Sequence, residues 1–159
     1  MMMHYFRFVL ATLLLCTMAC RAADKAEVTF ETTEMTIKDK KFTIEIADTQ
    51  VRRERGLMHR DKMAADHGMI FIFDTPDNYK FWMKNTKIPL DLIFLDASGK
   101  VVGICDLKPL DETGVGCDAV SSYAIELNAG TAKNAALKVG DKITLPEKLL
   151  KNTKSSDDK

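Results

Sequence analysis

Apolar and polar residues alternate through residues 27–46. Met35 and Ile37 share one side of the run, and Phe42, Ile44 and Ile46 resume the pattern beyond Asp39-Lys40. A period of two marks a half-buried strand, so this stretch predicts a hairpin turning near Lys38–Lys41. Asp48 or Thr49 can then cap a short helix over Gln50–Arg55, which Gly56 ends. A second helical turn is expected over Asp61–Asp66, followed by the continuous apolar run Met69–Phe73, the pattern of a buried strand.

Beyond the turn-forming cluster Asp74-Thr75-Pro76-Asp77-Asn78, strands are predicted at Lys80–Lys84, Leu90–Leu95 and Lys100–Leu107. The last two are joined by the hairpin turn Asp96-Ala97-Ser98-Gly99. Lys108–Val120 reads as a polar loop and Tyr123–Leu127 as another strand. A helix from Thr131 to about Lys138 follows, with a final strand at Lys142–Leu145. Seven or eight short strands with two or three short helices predict a mainly β (α+β) domain with a mostly antiparallel, barrel-like sheet. It should occupy residues 27–146 as one domain. Residues 147–159 are charged and poor in apolar groups, and predict a disordered tail.

The first residues change the picture from fold to compartment. A weakly basic start with Arg7 leads into the apolar core Phe8–Leu15 and then small residues, the layout of a signal peptide over 1–22. Ala19-Cys20 fits lipidation of Cys20, which would anchor the chain in a membrane facing the periplasm. Cleavage after Ala22 or Ala23, releasing it into the periplasm, is the alternative. Of four cysteines, only Cys105 and Cys117 lie beyond the leader. An even pair in an oxidising compartment predicts a disulfide across a loop of about a dozen residues, worth about 3 kcal/mol by chain entropy. Basic and acidic residues balance at 23 each, so no electrostatic footprint for nucleic acid or an anionic membrane exists. Membrane contact is then expected only through the N-terminal lipid.

The chain's single tryptophan stands in Phe81-Trp82-Met83-Lys84-Asn85-Thr86, closely followed by Ile88-Pro89-Leu90-Asp91. With Arg55-Gly56-Leu57-Met58-His59-Arg60, Gly68-Met69-Ile70-Phe71-Ile72-Phe73, Ala129-Gly130 and Gly140-Asp141, these motifs closely resemble the bacterial and archaeal family called domain of unknown function 192. The resemblance spans about Phe42 to Leu145. It implies a compact β-rich domain, often exported, with no established activity and no catalytic residues to carry over. The cysteine pair is outside the pattern.

Three chemistries compete on the residues themselves. In an extended segment Trp82 and Lys84 point one way while Phe81 and Met83 point inward. An aromatic platform beside a cation, with Asn85 hydrogen-bonding and Arg55 and Asp91 at the border, suits a glycan, a small anionic molecule or an envelope partner. The structural alternative makes Asn85 a turn residue and Asp91 an acceptor for backbone N–H groups. Met58, His59, Met63, His67, Met69 and Met83 form a soft-ligand set of the kind that binds Cu(I), although Met in an apolar run is ordinarily core. A hydrolase could use Arg52, Arg53, Arg55 and Arg60 to grip an anion, with Asp91 or Asp96 as base, but no nucleophile–base spacing supports it. The sequence therefore favours a non-catalytic exported binding domain without cofactor or metal, with copper binding and hydrolysis as the alternatives.

Overall fold

The period-two stretch folds as the expected hairpin. In the computed structural model, which describes residues 27–150, β1 (Glu31–Ile37) and β2 (Lys40–Ala47) pair antiparallel with Met35 opposite Phe42. The leader with Cys20 and the chain beyond Leu150 lie outside the described residues. Thr49 caps α1 (Gln50–Arg55), its hydroxyl accepting from the Arg52 N–H at 3.3 Å, and Gly56 closes it at φ 44° by donating to the Arg52 carbonyl. The chain then returns irregularly, without the helical turn expected at Asp61–Asp66, into β3 (His67–Asp77).

β3 lies beside β2 and parallel to it, because the whole of residues 48–66 acts as a crossover between them. It runs past the predicted end at Phe73, and its register with the neighbouring strand slips between Ile72 and Asp77, the stretch holding Pro76, which lacks an N–H for the ladder. β4 (Leu90–Leu95) and β5 (Val101–Leu107) form the second expected hairpin. β6 (Ser121–Asn128) inserts antiparallel between β3 and β4, giving the order β1-β2-β3-β6-β4-β5. The sheet is mixed and open, so the barrel-like expectation is corrected: β1 and β5 remain its two edges.

Two predicted strands are not strands. Phe81 makes an isolated bridge with Val115 of the 108–120 loop, and Lys142 one with Lys100. The helix expected to reach Lys138 stops early as α2 (Thr131–Asn134). The expected disordered tail instead begins with α3 (Glu147–Leu150), whose Leu149 is buried.

The sheet separates two cores. One face carries Ile70, Ile72, Ile93, Leu95, Tyr123, Ile125 and Leu127, together with Ile44 and Ile46 from β2. It is sealed by Ala132, Leu137, Ile143, Leu145 and Leu149 from the C-terminal segment. That seal is close: at Gly99, φ 83°, the Ile143 carbonyl leaves no room for a Cβ, and the Ile143 N–H donates to the Gly99 carbonyl at 2.9 Å. The other face carries Met69, Phe71, Phe73, Leu90, Leu92, Phe94 and Ala124. Its cover is mainly irregular, contributing Leu57, Met83 and Ile88, with the end of α1 alongside. Each fully buried aliphatic or Phe side chain contributes about 1.5–3 kcal/mol on either face.

Candidate functional site

The second face leaves a cleft between its covering segments. Its first wall is the end of α1 and the residues after it, Arg53 to Met58. Its second wall is the tryptophan segment. Although that segment is not a strand, the alternation holds: Met83 is buried, and the Phe81 ring packs edge-on against Phe71 at 4.9 Å and Phe94 at 5.7 Å. Backbone bonds fix it to the 108–120 loop, Phe81 exchanging N–H and C=O with Val115 and the Met83 N–H donating to Asp111. Trp82 and Lys84 consequently face outward. The indole remains 51% exposed, and the Lys84 Nζ lies 5.0 Å from the centre of its ring, a cation–π contact. The two walls are joined by the His59 N–H, which donates to the Asn85 carbonyl at 2.8 Å.

The cleft has two connected parts, sharing Arg53, Glu54, Phe71, Phe81 and Trp82. The wide part encloses about 270 Å³ and adds Phe73, Tyr79, Lys80 and Gln50. The narrow part encloses about 40 Å³ and adds Arg55, Thr86 and, at its floor, Glu126.

Glu126 is the residue that sequence reasoning missed. It is 5% exposed, on β6, the sheet's interior strand between β3 and β4, opposite Met69 on one side and Leu92 on the other. Its carboxyl makes no hydrogen bond among the described residues. Burial raises its pKa to about 8, an effect that the positive charge of Arg60 only partly opposes. Arg60 is itself committed, gripping both oxygens of Glu45 at 2.6 and 2.7 Å. A lone acid inside the apolar run Tyr123-Ala124-Ile125-Glu126-Leu127 was the available signal.

The predicted residues lie in different places. Trp82 and Arg55 line the cleft, Lys84 sits over the Trp82 ring, and Arg55 is the one of the four arginines that forms no side-chain bond among the described residues. Arg52 pairs with Asp48, and Arg53 with Asp74 while also donating to the carbonyls of Asp48 and Ile72. Asn85 takes the turn role: its φ is 55°, the left-handed region that Asn tolerates. Asp91 is not at the cleft. It belongs to the opposite face, in line with Ile93 and Leu95, is 2% exposed, and accepts from the Gly130 N–H at 2.8 Å and the Ala132 N–H at 2.7 Å. It caps α2, as the structural alternative had it. Asp96 is equally occupied, accepting from Ser98 and Lys100 in the β4–β5 turn.

The soft-ligand residues have roles of their own in part. Met69 and Met83 are core, and His67 pairs with Asp66. Among the described residues no group of three or more His, Cys, Asp or Glu side chains could hold a metal ion. Cys105 and Cys117 are two thiols in the structure rather than the expected bridge. The Cys105 Sγ lies 3.6 Å from the Gly116 carbonyl, while Cys117 presses on Gly103, one same-face position along β5, where it leaves no room for a Cβ. Burial pushes the Cys105 thiol above its usual pKa.

Comparison with known proteins agrees with the fold. The model of the family domain of unknown function 192 (uncharacterized ACR) matches residues 32–145. The crystal structure of a protein of unknown function from Novosphingobium aromaticivorans DSM 12444 is 32% identical with a TM-score of 0.67, covering 77% of this chain and 89% of that one. That of a putative transcription regulator from Sinorhizobium meliloti 1021 is 35% identical with a TM-score of 0.67, covering 74% and 96%. No curated protein matches the chain.

Proposed function

The chain belongs to the domain of unknown function 192 family, and from that premise we propose that it is a non-catalytic binding domain whose cleft beneath Trp82 takes a small molecule. The observation that carries this reading is the half-open indole at the edge of an aromatic hollow with a polar end. Aromatic surface supplies contact area at low entropy cost, and a few convergent polar groups fix orientation, the composition of ligand pockets generally. Arg55 in the cleft lining and Lys84 over the Trp82 ring favour a ligand with an anionic or hydrogen-bond-accepting group. Enzymatic readings lose support because Asp91 and Asp96, the proposed bases, are occupied by backbone and turn hydrogen bonds. The regulator description of the Sinorhizobium protein brings no nucleic-acid reading here, since basic and acidic residues balance at 23 each.

The single tryptophan makes the test direct. Ligands should shift its emission on binding and raise the melting temperature, because a ligand at 100 times its Kd adds about 2.7 kcal/mol of stability. Thermal stabilisation that persists unchanged in Trp82→Ala, with no change of emission in the parent protein, contradicts this location. The setting of the domain is proposed as the periplasmic side of a membrane, with Cys20 as lipid anchor. Mass spectrometry of the mature N-terminus should find a lipidated Cys20, and an unmodified N-terminus at Ala23 or Asp24 rejects the anchor.

A further inference from the structure

Binding alone does not account for Glu126. A carboxyl this deep, between the buried apolar Met69 and Leu92, ordinarily has a hydrogen-bond partner; this one has none among the described residues, and it faces the narrow end of the cleft. We infer that the cleft takes a small organic acid with a flat apolar body, and that Glu126 holds its carboxylate by sharing a proton with it; this rests on the binding reading above.

Size, charge and chemistry converge on that class. One water needs about 10–15 Å³ of such space, so the narrow part, about 40 Å³, accepts a three-atom group such as a carboxylate and no ring. The wide part, about 270 Å³ among Phe71, Phe73, Tyr79, Phe81 and Trp82, accepts the flat body. The charges facing Glu126 come from each segment packed there. The α1 end brings Arg53, Glu54 and Arg55, and the following segment brings Arg60 with its partner Glu45 from β2. The tryptophan segment lines the narrow part with the uncharged Phe81, Trp82 and Thr86, while Lys80 lines the wide part and Lys84 sits over the Trp82 ring. β3 and β4 place the uncharged Met69 and Leu92 beside Glu126, and β3 also brings Asp74, the partner of Arg53. Cations therefore outnumber anions around a protonated Glu126, which attracts a carboxylate and repels an ammonium group. No covalent bond forms: the Glu126 proton lies between two carboxylates, and the O–H···O⁻ bond is of the strong, charge-assisted kind.

Proton sharing makes binding depend on pH in a way that contact alone does not. The probe is benzoate, with benzylammonium as its cationic counterpart, each titrated against Trp82 emission between about pH 6 and pH 9.5. Below about pH 8, where Glu126 carries its proton, benzoate affinity should be flat; above it, each pH unit should weaken binding about tenfold. Glu126→Gln keeps a donor of the same shape that never ionises. It should bind benzoate within about tenfold of the parent at pH 6 and lose the alkaline decline. Glu126→Ala should weaken binding more than tenfold at pH 6, and if it fails to fold the Gln variant still decides. Benzoate binding at Trp82 without pH dependence, an unchanged decline in Glu126→Gln, or preference for benzylammonium overturns the Glu126 inference alone. If neither probe perturbs Trp82, the binding reading falls with it.

Discussion

Ile125 and Glu126 are neighbours on one strand, yet they look into opposite halves of the molecule. Ile125 faces the side sealed by the C-terminal segment, where apolar groups fill the layer from β2 to Leu149. Glu126 faces the side covered mainly by irregular segments, where the aromatic layer is interrupted by a cleft and the cleft ends on an unpaired carboxyl. Equal burial thus has opposite meaning on the two faces. Removing Ile125 takes away contacts that nothing replaces. Neutralising Glu126 for good removes a charge that the folded state has to suppress. The difference locates function on the face that closes imperfectly.

The largest effects should come from this pair. Ile125→Ala should lower stability by about 2–5 kcal/mol in denaturant titration. Glu126→Gln should be neutral to stabilising, and its advantage should grow with pH. The folded protein keeps a proton up to about pH 8 that the unfolded chain releases near the ordinary carboxyl value of 4.5. Stability of the parent is therefore full below about pH 4.5 and falls as pH rises towards 8. The gap between the two curves should reach about 3–5 kcal/mol above pH 8. Parallel curves would erase the distinction between the two faces.

Asp91 sharpens the comparison from the sealed side. Asp91→Ala leaves the N–H groups of Gly130 and Ala132 without their acceptor, and should cost about 1–3 kcal/mol. Ligand-induced change of Trp82 emission should survive that substitution under conditions where the variant is folded. The smallest effects belong to the cation over the Trp82 ring. Lys84→Ala should change stability by no more than about 0.5 kcal/mol, since the side chain is exposed, while weakening binding of an anionic probe.

Much of the scaffold was legible. The alternation through Phe42-Ile44-Ile46 and the apolar runs Met69–Phe73 and Leu90–Leu95 are local signals, and strands formed at each. Even without a strand at Lys80–Lys84, the alternation turned Trp82 and Lys84 outward, because bonds to Val115 and Asp111 stand in for a ladder. What the local pattern could not supply was neighbourhood. The parallel pairing of β2 with β3 and the insertion of β6 between β3 and β4 join residues far apart in the chain. Glu126 was missed for the same reason: an acid in a strand reads as solvent-facing until both of its neighbours are known to be buried. Asp91 misled in the converse way, since adjacency to the tryptophan motif in sequence placed it on the wrong face. Leu149 was hidden by charged neighbours, although it is buried on the core while Lys148 donates to the Thr32 carbonyl.

The protonation state of Glu126 is the most direct measure of the claim that the imperfectly closed face holds the binding site. Carboxyl-carbon NMR of the labelled protein, with Glu126→Gln identifying the resonance, should give a titration midpoint near pH 8, and saturating benzoate should perturb that titration. A midpoint in the ordinary glutamate range near 4.5, indifferent to benzoate, would show a hydrated, uncommitted side chain and contradict the account.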